Sequence, residues 1–229
     1  MKKMLAMLAV TTAVFTVVVF FVIRSTYPFV LASEEARRSV EVTVSQMKEL
    51  RSAELSSDMI AFGIFSALLC GVSAVCFSIS KNVSGQLVGL AIGLLLGAIA
   101  GAGTGWLGHW LELNPAFEIK DPIVYSVVRW CIMLLPVAIA AGIATSISTR
   151  SFNQMVHSVI GAIMGAVAAA MIYAVVAGTL TTMESRSKIL PFHDANRILI
   201  IAASMFCIGT GIVLQLHRKN DNPKRQMVQ

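Results

Sequence analysis

The chain has 229 residues, 56% of them hydrophobic and 13% charged, with a net charge of +6 and a mean hydropathy of +0.77. A soluble domain carries about 25% charged residues, so this composition excludes an ordinary water-soluble fold and equally a disordered chain. Its four cysteines all fall inside apolar runs, which excludes a secreted disulfide framework.

Runs of about 20 apolar residues, the length that crosses a bilayer as helix, occur six times. The first, Leu5–Ile23, lies between Lys3 and Arg24. Lys2 and Lys3, with Val30-Leu31-Ala32 before Ser33, resemble the ends of a signal peptide. Its apolar stretch of 19 residues exceeds the roughly 7–15 of a cleaved h-region. Residues 1–24 are therefore expected to stay as a transmembrane helix.

Residues 25–58 are polar and are expected outside the membrane. Within Ser33–Asp58, Ala36, Val40, Met47 and Leu50 share one helical face, and Glu34 and Glu35 lie early, where the helix dipole favours acids. This spacing predicts an amphipathic helix, either a solvated linker helix or a contact for a partner or a membrane surface. Alternation of Val40, Val42 and Val44 suits a short strand as well.

Residues 59–216 are expected to form a five-helix bundle. Its first helix is Met59–Ile79. The next, Gly85–Leu107, carries glycine at every fourth position: Gly85, Gly89, Gly93, Gly97, Gly101 and Gly105. In water each would weaken a helix by roughly 1 kcal/mol relative to alanine. In lipid the backbone has no water to turn to, so helix persists, and small residues four apart let another backbone approach. Four residues advance about 400°, so the row drifts around the helix by about 40° per step. Such a row predicts a central helix shared between two neighbours, with the helix bearing Gly161, Gly165 and Ala169 foremost. It is expected to serve packing inside one subunit rather than a seam between copies.

The remaining runs lie within Ile123–Ile147, at Met155–Gly178 and at Ile198–Leu216, followed by a basic tail, 217–229. Arg129, beside Trp130, is expected to reach the outer interface along its own stem. Pro136 predicts a kink.

Charge assigns the sides. With the N-terminus inside, Lys2, Lys3, Lys81, Arg150, Arg218, Lys219, Lys224 and Arg225 face the cytoplasm against one acid, Asp221. Positive charge inside is the orienting rule, so both termini are expected in the cytoplasm of a plasma membrane. The basic balance then reflects anionic headgroups and implies no nucleic-acid partner.

Shifting the chain by 68 residues aligns Ser78–Gly101 with Ser146–Ala169, with ten of 24 positions identical. The matches include two Ser-Ile-Ser triplets, Gln86 with Gln154, Gly93 with Gly161 and Gly97 with Gly165. This predicts a parallel repeat of two hairpins, about 59–107 and 123–178, a plan found among transporters.

Motifs for chemistry are sparse. Gly103–Gly108 spells G-x-G-x-x-G, but a dinucleotide site needs a preceding strand and a later acid. His109 with Glu112, and His193 with Asp194, would form a metal site only if the outer loops met. No metal or other cofactor is expected. No Asp or Glu falls in a predicted membrane core, which argues against a proton-driven transporter working through a buried acid. The polar groups left are Gln86, Gln154, His157 and Arg129; the two glutamines each open a helix, with His157 one turn on. The expected fold is an all-α integral membrane protein of about six transmembrane helices. The expected function is non-enzymatic: a structural, interaction or assembly subunit, with the lipid bilayer and a homo-oligomer or membrane-protein partner around it. The alternative is a small-solute or ion transporter or channel.

Overall fold

A computed structural model of the chain is all-helical and describes residues 2–38, 43–76, 83–114, 117, 119–149, 152–180, 191 and 193–220. Its helices are α1 (Lys2–Thr26), α2 (Glu34–Arg38), α3 (Val44–Cys76), α4 (Val83–Leu113), α5 (Pro122–Thr149), α6 (Phe152–Leu180) and α7 (Asp194–Asn220). All but α2 are long and apolar enough to cross a membrane. Val40 and Val42, the first Ser-Ile-Ser triplet, Lys81, Arg150 and the tail beyond Asn220 lie outside the described residues.

Local chemistry sets the helix starts. Ser33 caps α2: its hydroxyl accepts from the Ala36 N–H, and Glu49 of α3 accepts from the Ser33 N–H at 2.7 Å. Thr43 and Gln46 form a reciprocal capping box at α3, in which the Thr43 N–H donates to Gln46 Oε1 at 2.9 Å. Asp121 accepts from the Ile123 and Val124 N–H groups at 2.8 and 3.0 Å, and Pro122 fills the first position of α5.

The six long helices alternate in direction. The end of the bundle at which α1 begins is called the proximal face, and the end carrying the α1–α3 and α4–α5 connections the distal face. Around the bundle the packing order is α1, α7, α6, α5, α4, α3 and back to α1, with α3 also packed across the middle on α5. Alpha-one buries Leu8, Phe15, Val19 and Ile23, four positions on one side, and turns Val10, Val14, Val17 and Phe21 outward.

Alpha-three is one helix of 33 residues that runs through the second half of the polar segment and on into the apolar run. The capping box starts it at Val44, and nothing between Ser45 and Asp58 breaks helix. One expectation needs correction here: the glycine helix is not beside the one bearing Gly161. A Cβ built on Gly93 would lie 2.9 Å from the Cys70 carbonyl oxygen, and one on Gly105 would lie 2.8 Å from Met59 Cα. On Gly97 and Gly101 it would overlap the carbonyl oxygens of Ser66 and Phe62. All four partners belong to α3. Gly89, one turn before Gly93, faces α5 instead: a Cβ built on it would lie 2.7 Å from Ser148 Cβ, because the row has drifted round the helix by then. Gly85 is buried as well.

Alpha-six turns its own glycines to α7. Cβ atoms on Gly161 and Gly165 would overlap the carbonyl oxygens of Gly211 and Cys207. Sequence-matched glycines of α4 and α6 therefore face a preceding helix in one case and a following helix in the other. Between α4 and α5, Thr104 is fully buried, with its hydroxyl 2.9 Å from the Met133 carbonyl and 3.0 Å from its own Ala100 carbonyl. Phe62, Trp130 and Tyr173 join α3, α5 and α6, with ring centroids 6.3 and 5.1 Å apart.

Candidate functional site

The distal face gathers the ionisable side chains. Asp58 sits where the polar half of α3 meets its apolar half, and it is 1% exposed. Its burial follows from Gly105. Without a side chain there, α4 lies against the backbone of Asp58 and Met59. His109, one turn beyond Gly105, is then carried to Asp58, with Nε2 3.3 Å from Oδ2. That spacing allows charge pairing, although the two atoms are not aligned as a hydrogen bond.

From the other side Tyr27, just past the end of α1, donates its hydroxyl to Asp58 Oδ1 at 3.0 Å. The strand of chain behind it is held by Ser57, whose hydroxyl accepts from the Val30 N–H at 3.0 Å and donates to the Val30 carbonyl at 3.1 Å. Two neighbouring serine and aspartate side chains of α3 thus fix the whole turn after α1. Burial, helped by the negative charges of Asp58 and Glu54 and opposed by Arg197, pushes the Tyr27 phenol above its usual range. It therefore remains a donor at neutral pH.

Cations surround this group. The Arg197 guanidinium of α7 lies 5.5 Å from the Tyr27 ring centroid and donates through Nε to the Pro191 carbonyl. Arg129 of α5 is 8% exposed, 5.9 Å from the Tyr125 ring centroid. Its charge, with those of Arg51 and Glu54, acts on His109. Arg129 is thus packed among the helices at the distal end of the bundle, held over Tyr125. Below the cluster a small apolar cavity of about 20 Å³ lies among Phe20, Phe62, Phe65, Trp130 and Ile200, with Arg197 on its wall.

The other residues singled out by sequence lie elsewhere. Gln86, Gln154 and His157 belong to the proximal ends of α4 and α6, the opposite end of the bundle from Arg129. Alpha-five packs on both helices and stands between them. Gln154 Oε1 is buried without a hydrogen-bond partner. Asp194 pairs with Arg24 at 3.4 Å and His109 with Asp58, so the two histidine–acid pairs do not combine. Among the described residues no three His, Cys, Asp or Glu side chains are grouped to hold a metal. The four cysteines are free.

Asp58 lies one residue before the apolar run that begins at Met59, enclosed between the end of α1, α3 and α4. The sequence alone did not bring Asp58 and His109 together. The available signal was Gly105 and His109 four apart on a helix of otherwise apolar residues. No protein-family model, curated protein or solved structure matches the chain.

Proposed function

We propose that this chain is a polytopic membrane protein of the transport class, handling a small solute or ion at its distal face without covalent chemistry. The observation that carries the reading is Asp58, an acid enclosed by helices and met by a tyrosine hydroxyl and an imidazole. Ionisable groups so placed are costly, and in membrane proteins they mark ion and substrate pathways. The hairpin repeat in the sequence adds to it, since parallel repeats recur in transporters.

The second reading is a structural or assembly subunit. The glycine contacts favour it. Backbone approach along α3–α4 and α6–α7 is the kind of packing that holds membrane bundles rigid, and it requires no ligand. In both readings the bias of Lys and Arg puts the proximal face and both termini in the cytoplasm, and the membrane is the plasma membrane.

The test is native mass spectrometry of the full chain purified in lipid nanodiscs, with solute flux measured in proteoliposomes. A small molecule bound in stoichiometric amount, or a flux, that is lost in Asp58→Asn is the expected result. A bound protein partner or a stable oligomer, with neither ligand nor flux, would replace this reading by the structural one.

A further inference from the structure

Asp58 has two carboxylate oxygens, and the residues facing them limit what it can bind. Oδ1 is taken by an O–H donor, Tyr27. Oδ2 faces His109 Nε2 at 3.3 Å, and an imidazole nitrogen is itself a proton acceptor. A sodium or calcium ion needs several oxygen ligands around it. Here one flank is a donor, another an imidazole nitrogen, and the wider surroundings mix Glu54 with three arginines. From α3, Arg51 and Glu54 act on His109; from α5, Arg129 does; from α7, Arg197 acts on Tyr27. No third His, Cys, Asp or Glu among the described residues completes a metal group.

We infer that Asp58 and His109 together form a binding site for a single proton, and that the ion handled at this face is H⁺ rather than a metal cation. The inference deepens the transport reading and rests on it for its role in the protein, though not for the site itself. With the proton bound, His109 carries N–H on Nε2 and donates to the Asp58 carboxylate, so a 3.3 Å approach becomes an aligned, charge-assisted bond. When the proton leaves to water, the imidazole keeps a single N–H and loses its positive charge, so the attraction that drew Nε2 to Oδ2 weakens. Tyr27 keeps its hydroxyl on Oδ1 in both states. The proton therefore alters the α3–α4 contact and leaves the α1–α3 contact in place. Gly105 makes this possible, because it brings α4 close enough for His109 to reach an acid buried on another helix.

Potentiometric titration of the full chain in nanodiscs tests the site. Wild type, Asp58→Asn, His109→Gln and the double variant are compared between about pH 5 and pH 8, where an imidazole titrates. A shared proton predicts that each single variant removes the same one binding step and that the double variant removes no more. Two separate steps, one lost from each variant, would overturn the inference. So would a wild-type titration that shifts when sodium or calcium chloride replaces choline chloride at equal ionic strength, since that identifies a metal-cation site. Tyr27→Phe keeps both acceptors and serves if an Asp58 or His109 variant fails to fold: the same single step should survive in it, and its loss counts against the pair. If the proton step is present and no flux is found, the site stands and the transport reading falls. If flux is found and the step is missing, the reverse holds.

Discussion

Tyr27 is a sensitive test of how the distal face is held. Its hydroxyl donates to a charged acceptor, and hydrogen bonds of that type contribute about 1.5–3 kcal/mol. Tyr27→Phe is expected to lower the thermal midpoint in detergent by that order, without changing helix content by circular dichroism. The phenol also gives a pH dependence of known sign. Its folded value is raised, so its contribution is fully present below the unfolded value of about 10. The contribution declines as pH rises through the folded value. Wild type should therefore lose midpoint temperature above about pH 10, and Tyr27→Phe should lose less over the same interval. Equal losses would mean that the Tyr27 phenol is not the group responsible. At the rim of the same face, the Arg24–Asp194 pair is half exposed on both sides, and exposed pairs are worth about 0–1 kcal/mol. Asp194→Asn should leave the midpoint within that range, whereas a larger loss would make the pair a structural tie. Little of this was legible in the sequence. Tyr27 and His109 are distant in the chain from Asp58, and each looks like an ordinary interface residue until α1 and α4 are laid against α3. Arg129 was legible as a charge in an apolar run, but its direction depended on Tyr125 one turn earlier.

Among the elements, α3 and α4 make the closest pair. The sequence located α4 and its small face well, because charge absence and a four-residue glycine period are local signals. The partner was not legible, since a row of glycines states that something approaches without stating what. Pattern alone favoured a sequence-similar helix, α6, over the adjacent one. The start of α3 was obscured for another reason: polar residues before Asp58 continue the helix in water, so hydropathy changes there and conformation does not. Two glycines of α4 separate the packed from the open side. Gly97 lies against Ser66 and Ala67, whereas nothing lies within 4 Å of a Cβ built on Gly103. Gly97→Leu should cost at least the roughly 1–3 kcal/mol of overpacking. Gly103→Leu should be neutral or stabilising, because leucine is the better helix former. Equal thermal midpoints for the two variants would reject the α3–α4 contact as described.

At the scale of the whole molecule, six helices long and apolar enough to cross a membrane return the chain to the face where it began. Cysteines introduced at Ser45 and Gln226 in a Cys-free background should report opposite sides with an impermeant thiol reagent. Ser45 should label in intact cells and Gln226 only after lysis, and the reverse pattern would invert the orientation. The number of spans was legible from apolar run lengths alone, which is why it survives even where the neighbours of each span were misassigned. The length of α3 has a further consequence. A helix of 33 residues is about 50 Å long, against a hydrocarbon core of about 30 Å. Roughly the first third must stand clear of the lipid, and Asp58 lies near the point where it emerges. With no break between the two parts, the outer stretch of α3 and the stretch bearing Asp58 form one rod, so a contact that tilts α3 at Met47 or Leu50 is expected to be felt at Asp58. A jointed connection at residue 58 would have absorbed the tilt.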